Sequence, residues 1–161
     1  MKSLSANTCC FTGHRIIAQD NILKIQTSLE RIILELIEKN VFRFMCGGAI
    51  GFDMLSAFEV LRAKEKHKFI QLHLIVPFEG YNNRWNAENK FHYNQIIEKC
   101  DKKILASDEN SVESIFLRNR MLVDSSSYCV AYLDKRRMRG GTKYTVNYAV
   151  EKNVRLLMIE P

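Results

Sequence analysis

The fold is decided by residues 41–53, which read VFRFMCGGAIGFD. The apolar run over residues 41–46 is typical of a buried strand, and it ends directly in Gly47-Gly48-Ala49-Ile50-Gly51. Apolar residues then recur at helical spacing over residues 55–61. A strand that passes through a glycine-rich turn into a helix is typical of the βα units of parallel sheets.

The same alternation extends from this stretch toward both ends of the chain. Predicted strands cover residues 9–12, 41–46, 69–76, 103–106, 128–133 and 154–159, and predicted helices cover residues 22–37, 55–61, 81–100, 112–123 and 142–152. Crossovers between parallel strands are right-handed and place their helices on the faces of the sheet. We therefore expect a single Rossmann-like α/β domain over residues 1–161, with a mostly parallel sheet of about five to six strands and helices on both faces.

Composition excludes several classes of protein. The 161 residues contain no apolar run near the roughly 20 residues of a membrane helix and no signal-peptide pattern at residues 1–8. The five cysteines are odd in number and lack metal or redox spacing, so we expect reduced thiols and a cytoplasmic protein. The four histidines also lack metal-ligand spacing, and we expect no metal site. A net charge of +6 favours anionic partners, either nucleotides or nucleic acid, and we expect no membrane partner.

Three predicted strands end in loops that suit phosphate. These loops are Gly13-His14-Arg15 after the first strand, residues 47–53 after the second, and Gly140-Gly141-Thr142 after the fifth. Ligands of open α/β sheets bind at the carboxyl ends of the strands. Glycine in these loops lets the backbone approach a ligand closely, and helix N–H groups and arginine side chains bind phosphate. A Gly-Gly pair alone is often only turn chemistry, but three such loops on one edge predict a phosphate or nucleotide crevice.

The ordered set of motifs resembles the SMF/DprA–LOG (SLOG) superfamily. The motifs are Gly48-Ala49-x-Gly51-x-Asp53 with Ala57, Arg118-Asn119-Arg120-Met121, and Gly140-Gly141-Thr142-x-x-Thr145 with Ala149. The chain is most similar to the YpsA-like family, which also shows Thr12-Gly13-His14-Arg15, Pro77-Phe78-Glu79, a tryptophan like Trp85, and Met121-x-x-Asp124. The resemblance implies a Rossmann-like fold that binds a nucleotide-type ligand, with Gly51 and Asp53 at positions that matter for binding.

The predicted ligand-binding residues combine these motifs with the loops. They are Gly13, His14, Arg15, Gly47, Gly48, Gly51, Asp53, Arg118, Asn119, Gly140, Gly141 and Thr142. Asp53 either caps the second helix or accepts a ribose hydroxyl. Arg118 is either a phosphate clamp or a surface arginine paired with Glu113 or Asp124. Trp85 and its aromatic neighbours Tyr81, Phe91 and Tyr93 either stack on bases or pack a helix on the sheet.

Three functions remain open at this point. The first is a binding or sensing module for a nucleotide-type ligand, with no other cofactor and with a homo-oligomer left open. The second, implied by the LOG branch, is hydrolysis of the glycosidic bond of nucleoside monophosphates. That chemistry needs a carboxylate, residues 140–145 contain none, and only Asp53 and Glu79 remain as catalytic candidates. The third, implied by the DprA branch, is single-stranded DNA binding. The net charge fits DNA binding, and the absence of a recognisable appended domain argues against it. The basic run at residues 135–139 could guide either a nucleotide or DNA to the crevice.

Overall fold

The chain forms one six-stranded sheet in which every strand pairing is parallel. The computed structural model describes residues 4–137 and 139–161. The strands are β1 (Thr8–Gly13), β2 (Arg43–Cys46), β3 (Gln71–Val76), β4 (Lys102–Leu105), β5 (Tyr128–Tyr132) and β6 (Arg155–Ile159). Their order across the sheet is β4-β3-β2-β1-β5-β6, and all neighbours run parallel. The predicted Rossmann-like α/β domain is confirmed.

Five α-helices of the described residues cover the two faces of this sheet. They are α1 (Ile22–Glu38), α2 (Phe52–Lys64), α3 (Ala87–Lys99), α4 (Val112–Asp124) and α5 (Gly141–Glu151), and short 3-10 turns lie at Leu4–Asn7 and Gln19–Asn21. Because strand side chains alternate, Cys9 and Phe11 of β1 pack with α1, α2 and α3, whereas Cys10 packs with α4 and α5. Helices on both faces explain why β1 is almost wholly buried.

The order of the strands creates a switch point between β1 and β5. From β1 the chain adds β2, β3 and β4 in one direction, then returns to place β5 and β6 on the other side of β1. The loops after β1 and β5 therefore leave the same edge of the sheet in diverging directions, which opens a crevice between them. This crevice is the expected place for a ligand.

The helix predicted over residues 81–100 begins later than its apolar pattern indicated. Gly80 has a φ of +79°, and residues 81–85 form turns instead of helix. Asn86 then caps α3, since its side-chain oxygen accepts a hydrogen bond from Asn89 N at 2.8 Å. The aromatic residues Tyr81 and Trp85 consequently lie in an irregular segment that follows the carboxyl end of β3.

None of the helices in the described ranges is long and apolar enough to cross a membrane. The five cysteines carry free thiols, and Cys9, Cys46 and Cys129 are buried in strands as their apolar surroundings predicted. Their packing role is that of small apolar side chains.

Candidate functional site

A cavity of about 370 Å³ lies at the switch point, beside the carboxyl end of β1. Nine of the residues predicted to bind ligand line it: Gly13, His14, Arg15, Asp53, Arg118, Asn119, Gly140, Gly141 and Thr142. The lining also includes Ile16, Ala49, Tyr81, Ile115, Arg137 and Arg139, which were not among the predicted ligand-binding residues. The sheet topology thus brings together loops that are far apart in sequence.

His14 ties the two loops of the switch point together. Its Nε2 accepts a hydrogen bond from the backbone N–H of Asp134 at 2.8 Å, so the ring carries its proton on Nδ1. Burial lowers the pKa of His14, and the nearby Arg137 lowers it further. The imidazole is therefore neutral at pH 7 and acts as a fixed link between the β1 loop and the β5 loop.

Asp53 and Arg118 form the buried polar floor of the site. Asp53 Oδ2 accepts from the N–H of Ala49 at 3.3 Å, so the carboxylate bonds to the loop before α2 and does not cap the helix. Arg118 is only 4% exposed and donates to the carbonyl of Gly47 and to Asn119 Oδ1. Arg118 is therefore neither on the surface nor paired with Glu113 or Asp124, within the described ranges.

Burial also sets the charge state of Asp53. Removal from water raises the pKa of Asp53 from 3.8 to about 6, while Arg118 and the N–H groups of Ala49 and Gly47 act in the opposite direction. The carboxyl is mostly ionised at pH 7 and can accept hydrogen bonds there. A mildly acidic medium would neutralise it.

The glycines of the β2–α2 loop are occupied by contacts within the protein. A Cβ added at Gly47 would lie 2.7 Å from Arg118 Nη1 and 2.9 Å from Asp53 Oδ2. Gly51 has a φ of +82°, and a Cβ there would collide with the carbonyl of Arg15. The first N–H of α2, from Phe52, donates to the carbonyl of His14 at 3.1 Å. Within the described structure, Gly47, Gly48 and Gly51 do not line the cavity.

The start of α5 has different surroundings. Gly140 precedes the helix with a φ of +116°, and a Cβ there would meet no atom of the described residues within 4 Å. No side chain in the described ranges caps this end of the helix. Gly140, Gly141 and Thr142 all border the cavity. The uncapped N-terminus of α5 thus lies at the edge of an open space.

Cationic side chains surround this open space. Arg15, Arg137 and Arg139 line the cavity, and none of them forms an ion pair with a carboxylate of the described residues. Arg136 differs, because its guanidinium bonds the carboxylate of Asp134 at 2.8 and 3.0 Å. The basic run predicted at residues 135–139 therefore divides into members that face the cavity and members that do not; Met138 lies outside the described residues.

Tyr81 borders the cavity, and its contacts with two arginines were not predicted from the sequence, which offered it only as a stacking or packing aromatic. The Arg15 and Arg118 guanidinium carbons lie 5.9 and 5.5 Å from the centre of its ring. Such distances are typical of cation–π contacts, which hold the two arginines in place. The position of Tyr81 was the available signal, since it follows the carboxyl end of β3, at the edge of the sheet where the cavity lies.

Two other predicted residues lie away from the cavity. Glu79 is largely exposed, and its Oε2 lies 3.9 Å from Lys103 Nζ. Trp85 packs edge-on against Tyr81 and Tyr93, with ring centres 5.4 and 5.5 Å apart. The ring of Trp85 joins the core on the α1–α3 face of the sheet, and it does not line the cavity. No three His, Cys, Asp or Glu side chains of the described residues gather as a metal site.

The fold and this crevice define a Rossmann-like protein with a basic, partly buried pocket at its switch point. The model of the YspA SLOG family matches residues 10–160, and the chain belongs to that family. The assignment made from the motifs is confirmed.

Related proteins are similar to this chain at moderate sequence identity. The SPbeta prophage-derived protein YoqJ of Bacillus subtilis is 31% identical over 141 residues, which cover 80% of this chain and 81% of YoqJ. A UPF0398 protein of Halalkalibacterium halodurans is 28% identical over 71% of this chain, which spans 61% of that relative.

A solved structure of DNA processing protein A from Helicobacter pylori, described for its single-stranded DNA binding mode, has the same fold. It superposes with a TM-score of 0.67 at 14% identity and covers 96% of this chain and 65% of that protein. At this identity the likeness concerns the fold.

Proposed function

We propose that the switch-point crevice binds a nucleotide-type ligand through its phosphate and that the chain serves as a binding or sensing module. One observation carries the proposal: three arginines without carboxylate partners among the described residues surround a cavity bordered by the uncapped start of α5. Unpaired guanidinium groups and free helix N–H groups together favour a phosphate ligand. Membership of the SLOG family agrees with a nucleotide or nucleic-acid ligand.

The proposed binding mode assigns a role to each side of the crevice. Phosphate oxygens take hydrogen bonds from Arg15 and from the backbone at Gly141 and Thr142. Asp53 is the only carboxylate among the described residues that line the cavity, and it accepts a hydrogen bond from a ribose hydroxyl. The positive charge of Arg118 favours the ionised form of this carboxylate. The recognised group is thus a phosphorylated sugar, and the base lies toward the open side.

Calorimetric titration with nucleoside monophosphates and the matching nucleosides tests the proposal. We expect at least one monophosphate to bind at least tenfold more tightly than its nucleoside, because the nucleoside lacks the charged group. Arg15→Gln should weaken the monophosphate about tenfold, or roughly 1.4 kcal/mol. Arg31→Gln is the control, since Arg31 is exposed and pairs with Glu35 at 3.3 Å far from the cavity. Equal affinities for monophosphate and nucleoside would refute the proposal.

Single-stranded DNA is a second candidate, favoured by the exposed Arg137 and Arg139 at the cavity and by the fold shared with DNA processing protein A. A strand that neutralises several phosphates binds with affinity that falls steeply with salt, whereas a single nucleotide responds much less. Titration of an oligothymidylate at increasing salt separates the two ligands. Tight, salt-sensitive binding of the oligonucleotide without mononucleotide binding would place DNA first.

Glycosidic hydrolysis would require Asp53 to act as the catalytic carboxylate, since Glu79 lies away from the cavity. We expect no release of free base from nucleoside monophosphates, measured by chromatography after long incubation. Turnover that disappears in Asp53→Asn would replace the binding module with an enzyme.

A further inference from the structure

We infer that the ligand of the crevice carries two linked phosphates, so that its class is a nucleoside diphosphate or a larger diphosphate ester. This inference rests on the proposed nucleotide binding and narrows it. The basis is the number and the placement of the cationic groups that remain free once the contacts within the protein have been assigned.

Two of the basic groups at the cavity are already used by the protein. Arg118 donates to Gly47 and Asn119 and lies beside the carboxylate of Asp53. His14 accepts a hydrogen bond through Nε2 and is neutral, because burial and Arg137 lower its pKa. Neither group therefore needs a ligand to balance its charge.

Three guanidinium groups remain, and they come from two different loops. Arg15 extends from the β1 loop, where its Nη2 lies 3.4 Å from the hydroxyl of Tyr81. Arg137 and Arg139 extend from the β5–α5 loop, on the other side of the switch point. The start of α5, at Gly141, borders the same cavity. The site therefore offers cationic groups from two directions.

One phosphate monoester cannot balance this set. A phosphate monoester carries about −1.5 to −2 at pH 7, and each arginine carries a full positive charge with a fork that suits one or two phosphate oxygens. A second linked phosphate adds about one more negative charge and further acceptor oxygens, which matches three free arginines. The cavity of about 370 Å³ has room for such a group, since small-molecule sites commonly occupy about 300–1,000 Å³.

The Asp53 carboxylate indicates where the phosphates and the sugar of such a ligand would lie. An anion in the floor repels a phosphate placed directly on it, so the phosphates should lie toward the arginines and the helix start. A sugar then occupies the position above Asp53, as the proposed function requires. The ligand is thus expected to place a sugar hydroxyl at Asp53 and a diphosphate beside the arginines and the start of α5.

The test compares AMP with ADP, and inorganic phosphate with pyrophosphate, by calorimetry without divalent cations. We expect each diphosphate to bind at least tenfold more tightly than the matching monophosphate. Arg139→Gln should reduce the affinity for ADP about tenfold while changing that for AMP less than twofold. Lys135→Gln is the matched control, because Lys135 lies in the same loop, pairs with Glu160 at 3.5 Å and does not line the cavity.

The outcomes separate this inference from the proposed function. If AMP binds more tightly than adenosine but ADP binds no more tightly than AMP, the diphosphate inference is wrong and the proposed function stands. If Lys135→Gln weakens ADP as much as Arg139→Gln does, the preference reflects net charge and the inference is also wrong. If neither nucleotide binds more tightly than adenosine, the proposed function fails together with the inference.

Discussion

The β2–α2 loop and the β5–α5 loop have the same kind of sequence and different surroundings. Each places a Gly-Gly pair between a strand and a helix, and both pairs were predicted to approach a ligand. In the structure, Gly47 and Gly51 make room for protein atoms, whereas Gly140 borders open space and Gly141 makes only an ordinary contact. A glycine pair therefore predicts a close approach of the backbone, but it does not predict what approaches.

The difference follows from the position of each loop in the sheet. The loop after β1 folds over the start of α2, where Phe52 N donates to His14 O at 3.1 Å. Nothing equivalent covers the start of α5 in the described structure, where no side chain caps the helix and Gly140 borders open space. One helix start is thus covered by the protein, and the other borders the cavity.

The largest expected effect comes from Gly51→Ala. Gly51 has a φ of +82°, and the added Cβ would collide with the carbonyl of Arg15. Backbone strain and the collision together should lower the free energy of unfolding by about 4 kcal/mol. Urea denaturation followed by circular dichroism measures the change.

Gly140→Ala is the matched control for that variant. Its φ of +116° carries a similar backbone penalty, but no described atom lies within 4 Å of the added Cβ. We expect a loss of about 2 kcal/mol, from strain alone. If the two variants lose the same stability, the contrast between the loops is wrong.

A second, smaller effect concerns the pH dependence of stability and two carboxylates, Asp53 at the start of α2 and Asp134 in the β5–α5 loop. Burial raises the pKa of Asp53 from 3.8 to about 6, so the folded state favours the protonated form. Stability contributed by this group is full below pH 4 and is lost as the pH rises toward 6, by about 3 kcal/mol. Asp53→Asn should lack this loss when unfolding in urea is measured between pH 4 and 7.

Asp134 in the other loop gives the contrast. Hydrogen bonds from Arg136 lower the pKa of Asp134 to about 2, so its contribution is present above the ordinary pKa of 3.8 and is lost only at lower pH. Asp134→Asn should therefore follow the wild-type profile between pH 4 and 7. Parallel profiles for the wild type and Asp53→Asn would show that Asp53 is not buried as described.

Apolar runs and helical spacing were sufficient to predict the strands, most of the helices and a parallel sheet, because inner strands are buried on both faces and each helix buries one face against the sheet. They failed at residues 81–86, where Gly80 and the Asn86 cap delay the start of α3 although aromatic residues continue the apolar pattern. Helical spacing likewise could not show that Arg118 faces inward. That orientation depends on the carbonyl of Gly47, which lies 71 residues away in sequence.

Nine of the predicted residues line the cavity, but the sequence did not show which members of the basic run do so. Strand order fixes which loops meet, and the switch-point rule then locates the crevice. Which residues of the basic run reach the cavity depends on local pairing instead: Arg136 bonds to Asp134, while Arg137 and Arg139 line the cavity. No pattern in the sequence distinguishes these neighbours. The contacts of Tyr81 with two arginines are of the same kind, because they join three separate segments.

Gly141→Ala is expected to have the smallest effect on stability. It also tests the difference between the β2–α2 and β5–α5 loops most directly. Gly141 is the first residue of α5, its φ is not in the positive range, and the nearest described atom to an added Cβ is Asn119 Nδ2 at 3.7 Å. Alanine is the better helix former, so the free energy of unfolding should stay constant or rise by up to about 1 kcal/mol.

The methyl group enters the cavity at the helix start, where the backbone is expected to approach phosphate, and should weaken nucleotide binding about three- to tenfold. Urea denaturation and calorimetric titration of the same preparation measure both quantities. Gly51→Ala should destabilise the fold strongly, whereas Gly141→Ala should leave the fold intact and reduce affinity. A Gly141→Ala variant with unchanged affinity for a nucleotide that the wild type binds would show that the start of α5 does not contact the ligand.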